Sequence, residues 1–225
     1  MRARKADSIL DLRLIKGVGG IMRRYLLFSV LFLSFATLSL QASNIAVNGS
    51  FELPAIPNGS YSLFSTIPGG SLASGPYIEV QNHVAGTPFD GNQFVELDST
   101  AESAIFQDLS TIAGVQYYLS FAFSPRQGVA VNSMGVSWDG SPVTTINADG
   151  TRLSDTSWTV YSFTVTASST TTRLQFSGLG PSDGVGEYID AVSVAQTPEP
   201  SSVMLCLGGL LLAAAKYRKH AAHRC

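Results

Sequence analysis

Between Asn44 and Gln196 the chain has no cysteine, no lysine and a single histidine, His83. Each absence removes a class of chemistry. Without cysteine the segment forms no internal disulfide and offers no thiolate, so its stability rests on a packed core. One histidine and no cysteine argue against a Cys/His pair, a Ser/His/Asp arrangement or a His-rich zinc site. His83 stands in VQNHVAG, which reads as an ordinary loop or strand end. There is no G-x-S-x-G, phosphate loop or H-E-x-x-H. The missing lysines leave three arginines, Arg126, Arg152 and Arg173, against thirteen acidic residues, a formal charge of −10 inside a chain of net charge −2. Duplex nucleic acid is repelled by such a segment. An acidic surface suits a hard cation or a neutral polymer.

Helical periodicity is also scarce: no apolar pattern of period 3.6 exceeds two turns. Period-two alternation takes its place. In VQYYLSFAF (115–123) Val115, Tyr117, Leu119, Phe121 and Phe123 share one face. In WTVYSFTVTA (158–167) Tyr161, Phe163 and Val165 do the same, and TTRLQFSG turns Leu174 and Phe176 inward. EYIDAVSVA (187–195) reads as a closing strand. Shorter candidates are 44–51, 77–80, 93–97, 104–109, 134–138 and 143–146. Asp90-Gly91, Asp139-Gly140 and Asp149-Gly150 are tight-turn pairs. The Pro-, Gly- and Ser-rich stretch 51–75 reads as one long loop. Many short strands with such connections predict an all-β, single jelly-roll sandwich over 44–196. A segment of about 150 residues is long enough to bury roughly two-thirds of its unfolded surface.

The two ends read as addresses. Met22-Arg23-Arg24 precedes the apolar YLLFSVLFLSFATLSLQA, the parts of a secretory signal peptide over 22–43. Residues 1–21 read as an extension before the true start at Met22. At the other end, Pro198-Glu199-Pro200 leads into an uncharged run, Ser202 to Ala215, and then Lys216, Arg218 and Lys219. That run is shorter than the roughly 20 residues of a usual spanning helix, and its positive flank favours the cytoplasmic side. It reads as a short hydrophobic helix in a sorting or stop-transfer tail over 197–225. An uncleaved N-terminal anchor and a plain C-terminal anchor are the alternatives. The three parts in order resemble the PEP-CTERM sorting signal of Gram-negative bacteria. The resemblance implies export by the secretion machinery, a transient stay in the inner membrane, processing by an exosortase near Pro198, Glu199 and Pro200, and release to the cell surface or extracellular matrix.

The middle carries, in order, NGSFELP, GPYIEV, DGNQFVELD, IFQDLSTIAGVQYYLSFAFSPR, SWTVYSFTVTASSTTTRLQFSG and GEYIDAVSVA. These resemble the galactose-binding-like jelly rolls of the choice-of-anchor C family, more distantly related to carbohydrate-binding modules. The resemblance implies a structural calcium ion joining the first and last strands, with Glu52 and Asp190 as carboxylate ligands and Asn48 beside them. A dication there also offsets repulsion in an acidic domain. The alternative is that backbone N–H groups cap both carboxylates.

Sugar binding needs aromatic faces with carboxylates and amides nearby. The candidate rings are Trp138, expected exposed at a strand end, Tyr61 and Phe64 in the long loop, and Tyr77. Trp158 reads as core. Glu96 and Asp98, two apart on one strand face, are the only carboxylate pair singled out for glycoside hydrolysis. Three readings follow: an exported non-catalytic module binding exopolysaccharide or another glycan, a structural or adhesive matrix protein, and a small glycoside hydrolase.

Overall fold

The period-two segments fold as strands in a computed structural model that describes residues 43–197 and 208–211. The expected signal segment, the Pro198-Glu199-Pro200 motif and most of the apolar tail lie outside the described residues; 208–211 is helical. Among the described residues no helix is long and apolar enough to cross a membrane.

The strands are β1 (Ser60–Phe64), β2 (Thr66–Ile67), β3 (Gly70–Ser74), β4 (Ile78–Asn82), β5 (Phe94–Glu96), β6 (Ala104–Ser110), β7 (Gln116–Ser124), β8 (Asn132–Trp138), β9 (Ser141–Ala148), β10 (Thr159–Thr166), β11 (Thr171–Gly178) and β12 (Tyr188–Gln196). They form two six-stranded sheets, ordered β1-β4-β5-β12-β7-β10 and β2-β3-β6-β11-β8-β9. Every pairing is antiparallel. The chain is all-β, a jelly-roll sandwich.

The inner faces share one apolar core. β7 contributes Tyr117, Leu119, Phe121 and Phe123, β11 Leu174 and Phe176, and β8 Met134, Val136 and Trp138. Phe121 lies at its centre, stacked on Tyr161 at 5.9 Å and edge-on to Phe176 at 5.1 Å. Each large side chain buried there contributes about 1.5–3 kcal/mol. The β8–β9 hairpin turns on Asp139 and Gly140, both at positive φ (53° and 76°), the conformation that Asp-Gly favours.

Two expectations fail. The stretch 51–75 is not one loop: it holds β1, β2 and β3. In β1 Tyr61 and Leu63 point out while Ser60, Ser62 and Phe64 are half-buried. The alternation is real, but two of its inward positions are serine, so no apolar period shows. Conversely, 44–51 is not a strand beyond one bridge from Asn44 to Ala195. Asn48 and Phe51 both take φ near 54°, which breaks extended pairing. This segment docks on the bulge in β12 instead, where Val192 N–H donates to the Gly49 carbonyl at 2.8 Å. A Cβ at Gly49 would collide with the Val192 carbonyl.

Candidate functional site

The first sheet is buried on both faces at β4, where all five residues are buried, and at β5. Its inward residues Ile78, Val80 and Val95 belong to the core. Its outward residues should be solvated, yet they are covered too. The register sets Glu79, Glu96, Tyr188 and Ser124 in one row across β4, β5, β12 and β7, with Gln81 opposite Phe94 in the next row. Glu79, Gln81 and Glu96 are 7%, 1% and 1% exposed.

The cover is the 83–93 loop. Tyr188 Oη donates to the Ala85 carbonyl at 3.2 Å, and Trp158 Nε1 donates to the Thr87 carbonyl at 2.8 Å. Asp155 accepts the Thr87 N–H and hydroxyl at 3.0 and 2.8 Å. Beneath the loop is a second aromatic cluster, outside the core. Phe94 lies edge-on to Tyr188 at 4.8 Å and to Trp158 at 5.7 Å.

At the uncovered end of this face a cavity of about 210 Å³ opens, lined by Tyr61, Leu63, Glu79, Gln81 and Arg126, with Ser99 and Thr100 on the wall. A smaller, mostly apolar hollow of about 30 Å³ under residues 46–51 holds no comparable set of polar groups. Glu79 and Glu96 face each other across β4 and β5, an arrangement that is destabilising for like charges. The site compensates with donors. Gln81 Nε2 donates to both carboxylates, reaching Glu79 at 2.9 Å, and Arg126 forms an ion pair with Glu96. Gly186 N–H adds a third donor to Glu96 at 2.8 Å. Burial raises the Glu79 carboxyl above its ordinary pKa, opposed by Gln81 and Arg126. Burial raises Glu96 likewise, against the pull of Arg126. Desolvation alone would lower Arg126, but Glu96, Tyr188 and Glu79 outweigh it and hold the guanidinium charged. The result is a convergent amide, carboxylate and guanidinium beside an exposed ring, the composition of a polar small-molecule site.

The expected ligand rings are scattered. Tyr61, 55% exposed, stands on the cavity rim. Trp138 is a correction: it is 5% exposed and donates Nε1–H to the Thr166 carbonyl at 2.9 Å. It shares the inward parity of Met134 and Val136, so the strand carries it into the core. Phe64 is also corrected, since it packs against the core instead of forming a rim. Tyr77 is 42% exposed but does not line the cavity. Trp158, expected in the core, covers the outer face.

The expected calcium ligands face the 89–93 segment but are occupied by N–H groups. Asp190 Oδ2 accepts Phe89 N–H and Asp90 N–H, both at 2.9 Å, and Oδ1 accepts Ala191 N–H at 2.6 Å. Glu52 Oε1 accepts Asn92 and Gln93 N–H at 2.7 and 2.8 Å. Asn48 bonds Leu53 and Pro68 backbone groups. Protons aimed at the oxygens suit capped carboxylates, so these three residues as arranged do not fit a calcium ion. Among the described residues no three His, Cys, Asp or Glu side chains are gathered into a ready cation cage. The Glu96–Asp98 pair is divided as well. Glu96 is tied to Arg126, Gln81 and Gly186, while Asp98 Oδ2 accepts Asp183 and Gly184 N–H at 2.9 and 3.0 Å.

Sequence reasoning missed Glu79, Gln81 and Arg126 as site residues. The available signals were Ile78-Glu79-Val80-Gln81, a strand alternation with a carboxylate on its polar face, and an arginine directly after an apolar strand in a segment with only three.

No family model matches the sequence. The chain is 32% identical over 167 residues, 72% of its length, to a multifunctional-autoprocessing repeats-in-toxin protein of Vibrio cholerae serotype O1, and 30% identical over 173 residues, 73% of its length, to halomucin of Haloquadratum walsbyi. It spans only 3% and 2% of the length of those relatives. Solved structures of similar shape include a family 35 carbohydrate-binding module from an environmental isolate, with 17% identity, a TM-score of 0.41, and coverage of 53% of this chain and 85% of that one. Another is the CBM22-1–GH10 portion of Clostridium thermocellum xylanase 10B complexed with xylohexaose, with 14% identity, a TM-score of 0.45, and coverage of 70% and 29%. These likenesses are too distant to carry a ligand across.

Proposed function

We propose that the sandwich is a non-catalytic glycan-binding module of an exported surface or matrix protein. The observation that carries this reading is the cavity at the open end of the first sheet's outer face. Its Tyr61 ring offers a stacking surface for the C–H face of a pyranose. Glu79 accepts hydroxyl protons and the partly exposed Arg126 donates to hydroxyl oxygens, while Gln81, both of whose amide hydrogens go to Glu79 and Glu96, holds the carboxylates in place. The matches to small parts of very large proteins support a domain that recurs as a module. The acidic, lysine-free surface fits a neutral polysaccharide or one bridged by cations.

Catalysis is disfavoured by the state of the carboxylates. Glu96 is locked in its ion pair, and Asp98 is engaged elsewhere. The export half of the proposal rests on the 22–43 segment and on Pro198, Glu199 and Pro200 with the tail that follows, which together suit secretion, exosortase processing and delivery to the cell surface or matrix. A structural or adhesive protein without sugar binding is the competing class.

Affinity gel electrophoresis against a panel of exopolysaccharides separates the two. Retardation by at least one glycan, lost in Tyr61→Ala, is the expected result. Unretarded migration on every glycan would leave the adhesive reading in its place.

A further inference from the structure

Beside the cavity, three acidic side chains carry buried oxygens with no hydrogen-bond partner: Asp98 Oδ1, both Glu102 carboxylate oxygens and Glu187 Oε1. Asp98 and Glu187 are 0% exposed. Buried carboxylate oxygens are expensive to leave unpaired, and here they come as a group. Asp98 and Glu102 form a bridge across the 98–102 turn. The Leu97 N–H bonds the Glu187 carbonyl at 3.1 Å, which brings the start of β12 against them.

Two glycines make the space. Glu102 Oε2 occupies the place a Cβ on Gly178 would take, and Glu187 Oε1 lies 3.2 Å from that point. The corresponding point at Gly180 is ringed by Glu102 Oε1 at 3.1 Å, the Val131 carbonyl at 3.4 Å and Glu187 Oε2 at 3.8 Å. Around this cluster hydrogen-bond donors are few. Ser133 N–H reaches Glu187 Oε2 at a long 3.2 Å, Gly180 N–H lies near the Glu102 carboxylate without completing a hydrogen bond, and the two N–H groups on Asp98 serve its other oxygen. This is the reverse of Glu52 and Asp190, whose oxygens are filled by N–H groups.

We propose that Glu102, Glu187 and Asp98, with the Val131 carbonyl, form a binding site for a hard divalent cation of calcium's size. An all-oxygen set with no nitrogen or sulfur donor selects calcium over transition metals. Calcium takes six to eight oxygens at about 2.3–2.6 Å in flexible geometry, so ligation has to draw together three carboxylates that do not form a closed cage without the ion. The cation would tie the 98–102 turn to the 178–187 segment. Ser99, Thr100 and Gly184 from those same segments line the cavity, so metal binding stiffens its wall.

The test is direct calcium titration of the purified full-length chain by calorimetry after chelator treatment, independent of any glycan. One calcium per chain is expected, with affinity lost at least tenfold in Glu102→Gln and in Glu187→Gln. Melting controls for folding: in chelator the Glu102→Gln/Glu187→Gln double variant should melt at or above the wild type, and in calcium clearly below it. Absence of calcium binding to the wild type overturns the proposal. Calcium binding that persists unchanged in the double variant overturns it equally.

Discussion

Replacing Arg126 with methionine tests whether the outer face is a polar site held in a strained balance. The arginine side chain is 23% exposed and Glu96 1%. Methionine keeps much of the apolar stem that lies over Tyr188, where the guanidinium now sits 5.9 Å from the ring centre, so the lost interaction is chiefly the charge. Breaking a buried pair by removing one partner costs about 3–5 kcal/mol. The low end applies, because Arg126 is partly solvated and Glu96 keeps the Gln81 and Gly186 donors. About 3 kcal/mol is expected, which for a domain of this size lowers Tm by roughly 6–12 °C. A second substitution, Glu96→Gln, should recover much of the loss by removing the stranded charge, giving a coupling energy above about 1 kcal/mol in the double-mutant cycle. Urea denaturation of the four proteins supplies the numbers. A loss below about 1 kcal/mol for Arg126→Met, with additive behaviour of the pair, would show that Glu96 does not depend on its cation and that the reasoning is wrong.

Other outcomes follow from the same geometry. Trp138→Ala should destabilise by about 3–5 kcal/mol while retained fold at low temperature still binds glycan; wild-type stability would mean the ring is not core. Tyr61→Ala, at an exposed position, should leave Tm within about 2 °C, since surface changes stay near 0.5 kcal/mol, yet abolish glycan retention. Gly49→Ala should lower stability measurably in a melting experiment, because its Cβ meets the Val192 backbone. Mass spectrometry of the protein recovered from the medium or cell surface should show residues 1–43 absent and a C-terminus near Pro198; an intact chain in the cytosol would contradict export.

The core strands were legible because their inward residues are large and apolar at period two: Tyr117, Leu119, Phe121 and Phe123 need no tertiary information to declare a buried face. β1 was hidden because Ser60 and Ser62 carry no apolar signal at its inward positions. The 44–51 segment gave the opposite error. Its alternation is strand-like, but positive φ at Asn48 and Phe51 answers to the docking on β12, which no local pattern records. Trp138 differed in exposure and not in its strand end. The expected strand 134–138 and β8 both end at Trp138, but a terminal position does not free the ring, because its inward parity with Met134 and Val136 carries it to the Thr166 carbonyl. The cavity depends on register among β4, β5 and β12 and on a loop folded over them. Glu79 and Glu96 are 17 positions apart in sequence and adjacent only in the sheet.

The measurement that bears most directly on glycan binding is chemical-shift mapping of the isotopically labelled protein titrated with a soluble glycan that retards it in gels. Shifts concentrated at Tyr61, Gln81, Arg126 and Thr100 are expected, with the second sheet unmoved. Saturable shifts confined to the second sheet, or none at any glycan concentration, would contradict the assignment of this face as the binding site.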